Sequence, residues 1–463
     1  MKPIPPPKYT RDFYPQDITL RNHICNTWRS VSVLHGFAEY DGPIFEHAEL
    51  YEVKSGEGIL SELFSLEDRA GRRLAIRPEM TPTLARMVNQ RINTLRKPIR
   101  WFSTPNCCRA ERGQKGRLRE FWQWNVDILS EPTNAQTIAA ADAEAIAVLA
   151  AALQDFGLTP QDCTIHLAHR QLLACILELN NIRTPQELTA ALAVMDRVEK
   201  LEPEPLAQYA LQQGLSPEQL EHVLRICNTP HWLDALPTPE HRRAADPDLQ
   251  ARLDAAQQHL CELHNLLHAA NLQTWCNTSF RVVRGLAYYT GLVFEVWDNQ
   301  SQHRAIAGGG RYDNLLGLLG GPPTTGVGFG MGDVVLANVL AERNLLAAVR
   351  EPAPTVYLCA LADSANQADA LTLAAIVRNA RIDCEAALAP ESDKRAFKAA
   401  ENRKSPILLL ALRENGQLLC RVRHLPSKTA HYPVLPDELP DCLNALLQTT
   451  AQNTKTPTHD RNF

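Results

Sequence analysis

The chain has 463 residues, 45% of them hydrophobic and 21% charged, which is enough apolar material for two to four domains with their own cores and rules out a disordered or collagen-like polymer. A formal net charge of −5 excludes binding nucleic acid by overall attraction, so any RNA contact has to come from local basic patches, and DNA is not expected as a partner. Twelve scattered cysteines without a Cys-x-x-Cys pair, a Pro-rich start with no apolar segment behind it, and no apolar run of about 18 residues predict reduced buried thiols, no structural metal site, no membrane span and a cytoplasmic location.

In chain order, apolar residues Ile18, Leu20, Ile24, Trp28 and Val31 predict a helix over 17–34, ended by Gly36. A strand broken at Gly42-Pro43 follows, then a hairpin pairing residues 63–68 with 73–77. Arg77-Pro78-Glu79-Met80-Thr81 precedes a helix starting near Pro82, so by position the Glu79 carboxylate reads as a turn or cap residue. Residues 99–129 alternate around a charged, Gly-containing loop at 112–116, and on a strand Arg117, Arg119, Phe121, Gln123, Asn125 and Asp127 share one face. Such a face is either a solvated hairpin with surface ion pairs or a platform for a ligand combining an anionic phosphate, a flat ring and a polar head.

Beyond it, the pattern predicts an Ala-rich helix over 133–156 and a strand over 163–169. The span 170–273 is mainly helical and polar, broken by Pro203, Pro205, Pro230 and Pro237. Strand character returns over 280–297, which carries Arg284 and the pair Tyr288-Tyr289. The cluster Gly308-Gly309-Gly310-Arg311-Tyr312-Asp313 lacks Walker or dinucleotide spacing and suits close approach of backbone and ligand. Residues 326–336 predict a strand entering a helix. After a Pro-rich linker at 351–354, alternating strands and helices over 355–412 predict a small α/β domain, with Lys394, Arg395, Lys398, Arg403 and Lys404 near one helix. The polar tail 448–463 is expected to be disordered.

The stretch Cys108–Gln123 resembles motif 2 of class II aminoacyl-tRNA synthetases, and of the histidyl-tRNA synthetases in particular. Residues 17–46 resemble motif 1, Arg284–Glu295 the histidine signature, and Gly326–Leu336 motif 3. The resemblance implies an α+β fold: a class II catalytic domain, an antiparallel sheet flanked by helices, in two parts (9–169 and 274–350). Between them lies the helical insertion 170–273, and an α/β anticodon-binding domain follows at 354–447. It implies activation of L-histidine by ATP with Mg²⁺, transfer to tRNA(His), and a homodimer. Arg109 and Arg284 are the catalytic cations it implies. Glu79, Met80, Thr81, Gln123, Asp127, Tyr288 and Tyr289 join them around histidine, while Glu111, Arg117, Phe121 and Arg311 join Arg109 around ATP. Two positions depart from the commoner pattern: Ala287 replaces an Asp, and Val335 replaces the ATP-holding Arg of motif 3. Both are found together in a branch that includes plant organellar forms, so a branch variant is expected, with Arg117 and Arg311 supplying the missing charge. The alternative is a non-catalytic paralogue that senses histidine; such regulatory subunits lack the last domain.

Overall fold

The structure is a computed structural model that describes every residue except 1–3, 53–61, 111–115, 132–133, 199, 230–231, 237, 239–245, 283–288, 301–304, 348, 350–352 and 454–463. It divides into two compact units, residues 1–350 and 351–463.

The first unit opens with helix α1 (Pro15–Leu34), where Pro15 suits the first turn and Asp17 accepts from the Tyr14 N–H at 3.1 Å. The chain leaves α1 through Gly36 at φ +77°, a left-handed conformation that glycine adopts without strain. Strands β1 (Ala38–Glu39) and β2 (Phe45–His47) flank the Gly42-Pro43 break, and β3 (Phe64–Glu67) pairs antiparallel with β4 (Arg73–Ile76) as the hairpin pattern predicts. The Asp68 carboxylate closes that turn by accepting from the Ala70 and Arg72 N–H groups, each at 2.9 Å. Helix α2 (Thr81–Arg91) follows, then β5 (Ile99–Ser103), β6 (Asn106–Cys108) and β7 (Glu120–Ser130).

Helix α3 (Ala135–Asp155) leads to β8 (Cys163–His169). Next comes a helical run, α4 (Arg170–Leu179), α5 (Pro185–Met195), α6 (Pro203–Gln212), α7 (Pro217–Cys227) and α8 (Pro247–Ala269). Strands β9 (Cys276–Thr278), β10 (Leu292–Asp298), β11 (Ala307–Arg311) and β12 (Thr325–Gly332) close the sheet, and helix α9 (Asp333–Glu342) begins without a loop. The glycine cluster is therefore itself a strand. The large sheet runs β1-β5-β7-β12-β11-β10-β8-β9 with β6 as an extra partner of β7. Only its two ends, β1 on β5 and β9 on β8, are parallel. A class II synthetase sheet flanked by helices is what the motifs imply.

Because side chains alternate along a strand, the register gives the sheet two different faces. Trp124, Val126, Phe329, Phe294 and Leu167 point to the back, where α1, α3 and α9 cover them in the largest core cluster. The Trp28 and Trp124 rings stack at 6.1 Å between centroids, and Trp124 donates to Ser32 Oγ at 2.9 Å, locking α1 to β7. Each such side chain taken fully out of water contributes about 1.5–3 kcal/mol.

By length and composition α3 is apolar enough to cross a membrane, more so than the run-length reading suggested. Here it is the central back helix, and its buried Asp142 is ion-paired with Arg311. Helix α8 packs on it and α4 packs on α8, within the same core cluster, so the helical span shares its core with the sheet.

The second unit has a five-stranded sheet ordered β14 (Cys384–Ala386), β13 (Val356–Ala360), β15 (Ile407–Glu414), β16 (Gln417–His424), β17 (Thr429–Val434), parallel at β14-β13-β15 and antiparallel beyond. Helices α10 (Gln367–Asn379), α11 (Asp393–Asn402) and α12 (Leu439–Asn453) accompany it. Strands β16 and β17 go beyond the sequence reading. Helix α12 also corrects it: the backbone stays helical to Asn453, past the boundary expected for a tail, and 454–463 lie outside the described residues.

Candidate active site

The front face of the sheet is a polar strip floored by glycine. In register across the strands, Trp101, Asp127, Gly328, Gly310 and Val293 form one row, and Ser103, Asn125, Gly330, Gly308 and Glu295 the next. The glycines are dictated by space. A Cβ on Gly328 would lie 2.2 Å from Asp127 Oδ1, and one on Gly330 would lie 2.7 Å from Gln123 Nε2. Stripping side chains from the middle of the strip lets Asp127 and Gln123 lie across their neighbours' backbones and leaves a floor. Gln123 Nε2 donates to Asn125 Oδ1 at 2.7 Å, which orients the amide.

Asp127, nine-tenths buried and more, accepts from the Tyr312 hydroxyl. Tyr40 packs on Trp101 at 5.5 Å between ring centroids, and burial together with the Asp127 charge pushes its phenol well above the usual range, so it stays neutral. Tyr289 is 6% exposed and approaches the Gly310 backbone so closely that a Cβ there would sit 2.8 Å from its ring. Asp127, Tyr312 and Tyr289 thus make one end of the strip an aromatic pocket holding a carboxylate. Tyr312 is a site residue that the sequence reading missed. The available signal was the glycine cluster itself, which leaves open ground beside the residue that follows it.

A second wall is the loop before α2. Glu79 (7% exposed) and Met80 (fully buried) are held there, and Thr81 opens the helix. The loop is tied down through Arg77, which donates to Asp41 at 2.6 Å, to the Gly42 carbonyl at 2.9 Å and to the Asn106 carbonyl at 2.9 Å. Arg109, just past β6, donates from Nε to the Pro78 carbonyl at 3.1 Å, and its guanidinium lies 5.2 Å from the Phe121 ring centroid. Burial pushes the Cys107 thiol up to about 12 against the pull of Arg109 and Arg77, so it sits under this wall as an inert thiol. The strip therefore runs from a carboxylate pocket, past an amide and a buried glutamate, to a cation over an aromatic ring.

Comparison with known proteins decides what this strip belongs to. The profile of the histidyl-tRNA synthetases matches residues 9–333. A histidine--tRNA ligase of Opitutus terrae is 38% identical over 420 residues, 90% of this chain and 93% of the relative. The chain belongs to the histidyl-tRNA synthetase family. A chloroplastic/mitochondrial histidine--tRNA ligase of Arabidopsis thaliana is 35% identical over 401 residues, 86% of this chain and 78% of the relative. In fold, a histidyl-tRNA synthetase from Nostoc sp. matches with a TM-score of 0.74 at 19% identity, covering 96% of this chain and all of the other.

Within this family frame, the structure brings Glu79, Met80, Thr81, Arg109, Phe121, Gln123, Asp127 and Tyr289 to the front of the sheet. Glu111, Arg284, Tyr288 and the departure at Ala287 lie outside the described residues. Arg311 is a correction. In register with Val327 and Ile128 it points to the back of the sheet, 3% exposed, opposite the strip. Its guanidinium is committed to Asp142, Asp313, Thr325 and the Ile138 carbonyl, so no phosphate can reach it. Val335, the other departure, is 8% exposed and packs in the back core. A Cβ on Gly116, at the base of the motif 2 loop, would stand 3.4 Å from it.

Proposed function

We propose that this chain is a histidine--tRNA ligase that activates L-histidine with ATP to histidyl-adenylate and transfers the histidyl group to the 3′ end of tRNA(His). The observation that carries this reading is the polar strip with a buried carboxylate at one end and a cation over an aromatic ring at the other, in a chain 38% identical to a histidine--tRNA ligase. The imidazole enters the aromatic pocket, where Asp127, steadied by Tyr312, accepts an imidazole N–H; Tyr288 and Tyr289 wall it. The α-ammonium lies against Glu79, Thr81 and Gln123, with Met80 beneath. The substrate carboxylate then faces the α-phosphorus. One carboxylate oxygen attacks in line, the bond to pyrophosphate breaks, and charge on the α-phosphate is met by Arg109 and Arg284.

Phe121 stacks on adenine, Glu111 holds its edge or the ribose, and Arg117 reaches the γ-phosphate. With Arg311 turned away, Arg117 is the cation we assign to compensate for Val335. Among the described residues no group of three or more His, Cys, Asp or Glu side chains is placed to hold a metal. Mg²⁺ is therefore read as arriving with the ATP phosphates, and the steps above rest on the chain's own residues. A reducing compartment such as the cytoplasm suits twelve cysteines of which none is paired. Exposed Val33, Leu34, Ile44 and Phe45 on the motif 1 segment support a homodimer. The exposed Lys394, Arg395 and Lys398 of α11 support RNA contact by the second unit.

The test is histidine-dependent ATP–pyrophosphate exchange, followed by charging of tRNA(His), with Arg284→Ala beside the parent chain. Exchange specific to histidine and reduced by about 10²-fold or more in the variant is expected, the scale of losing one cation at a developing charge. Histidine binding without exchange would instead mark a sensor.

A further inference from the structure

Behind the pocket, on the back of the sheet, lies a buried polar chain that the proposed chemistry does not use. Arg311 donates to Asp142 at 2.6 Å and 3.3 Å, to the Ile138 carbonyl at 3.1 Å, to Asp313 at 3.2 Å and to Thr325. Asp142 is completely buried on α3, and its other side faces His259 Nε2 of α8 at 3.0 Å. His259 Nδ1 meets His169 Nε2 at 3.1 Å, and His169 Nδ1 accepts the Leu172 N–H at 3.2 Å. That last bond determines every proton in the row. His169 must carry its proton on Nε2 and donate to His259 Nδ1, which leaves the His259 proton on Nε2, 3.0 Å from Asp142 Oδ2. Two imidazoles in series thus set one N–H beside a buried carboxylate.

The same arginine is wired to the pocket. Its carbonyl accepts the Thr290 N–H at 2.8 Å, and Thr290 Oγ1 donates to Asp313 at 2.8 Å, which ties down the residue after Tyr289. Thr325 Oγ1 donates to Asp313 at 2.6 Å, and the Tyr312 N–H donates to the Gly326 carbonyl at 2.8 Å. Arg311 therefore sits between Gly310, against which Tyr289 packs, and Tyr312, which holds Asp127.

We propose that Arg311, Asp142, His259 and His169 are positioning residues for the imidazole pocket: anchored by α3 and α8 on the back of the sheet, they fix the segment 310–313 and with it the placement of Tyr289, Tyr312 and Asp127. This deepens the histidine-ligase reading and rests on it. His169 is held neutral, its imidazole pushed down to about 3 by burial and by the neighbouring His259. Asp142 is held ionised: burial opposes its charge, and the attraction and hydrogen bonds of Arg311, with His259 beside it, outweigh that cost.

The consequence is selective. A loosened row disturbs the imidazole end of the strip and leaves the Arg109 and Phe121 end alone, so histidine affinity falls while ATP affinity and turnover stay. Misplacement by about 1 Å costs about 10²-fold in a precise site, and a fraction of that shift predicts about tenfold. The experiment measures histidine binding by calorimetry, and KM for histidine, KM for ATP and kcat in pyrophosphate exchange, for H259L, H259Q, T325V and the parent chain. In H259L the histidine Kd and KM rise about tenfold with ATP KM and kcat within about twofold, and H259Q, whose amide N–H can still reach Asp142, recovers most of the loss. T325V, nearly isosteric and therefore expected to fold, shows the same split at smaller size.

Histidine affinity equal to the parent's in folded H259L overturns the proposal, as does an ATP KM that rises in step. If H259L is recovered unfolded, parental histidine affinity in T325V overturns it. A parent chain that binds histidine but exchanges no pyrophosphate defeats the functional reading alone, since the calorimetric comparison still decides the positioning row.

Discussion

The two faces of the central sheet are built from the same strands and obey opposite rules. On the back, Trp124, Val126, Phe329 and Phe294 interdigitate with three helices, and the buried charge of Asp142 is admitted with Arg311 as its counter-ion. On the front, the same strands present Gln123, Asn125 and Asp127 over glycines, and volume is removed instead of filled. The back face converts burial into stability. The front uses that stability to hold polar groups in a geometry they would not choose alone. Neighbours one residue apart, such as Gly328 and Phe329 or Arg311 and Tyr312, therefore belong to different problems.

The comparison breaks most visibly at Asp127. Asp127→Asn keeps the shape but removes the anion that the imidazole meets, and histidine-dependent exchange should fall by about 10³-fold or more with the thermal midpoint nearly unchanged; exchange at parental rate would take the pocket away from Asp127. Adjacent substitutions sharpen the contrast next. Gly328→Ala places a Cβ on Asp127 Oδ1 and should cost about 10²-fold in kcat/KM for histidine at a modest cost in stability. Phe329→Ala opens the back core, where its ring meets Trp124 edge-on at 4.9 Å, and should lose about 3–5 kcal/mol in denaturant unfolding while the folded fraction keeps its KM. Equal kinetic losses in both would mean that the faces are not separable.

The smallest effect is a slope. His169 titrates near 3 in the folded chain against 6.5 ordinarily, because burial and His259 disfavour its charge. The unfolded chain thus binds a proton below pH 6.5 that the folded chain refuses. Stability from this group is fully present above that pH and lost as pH falls toward 3, by up to about 1.4 kcal/mol per pH unit. Urea midpoints from pH 7 to 4.5 should show this slope in the parent chain and lack it in His169→Asn; identical slopes would remove His169 from the account.

Much of the architecture was legible because its signals are local. The helix ended by Gly36, the hairpin around Asp68, the strand that enters α9 and the alternation of Phe121, Gln123, Asn125 and Asp127 each depend on residues within a few positions. The motifs that carry the family resemblance are contiguous for the same reason. Arg311 shows where that legibility stops. In a glycine cluster next to ligand-binding motifs, a charged side chain reads as a phosphate partner, and Tyr312 carries no assignment. The register turns the arginine away and brings the tyrosine to the pocket. The strands β16 and β17 were hidden in another way: their charged faces, with Arg421 and Arg423 held by Asp393, resemble surface segments until a sheet edge is there to pair with them.

What the sequence by itself determined is most of the elements, the family and most of the front-face residues, because turn chemistry, periodicity and contiguous motifs are properties of short stretches of chain. Only the tertiary structure decided which parity of β11 faces the pocket, and that His169, His259 and Asp142, from three distant segments, meet behind it. Strand parity is defined by the partner strands and the helices that cover one side, and contacts over 90 residues or more of separation leave no mark in local pattern.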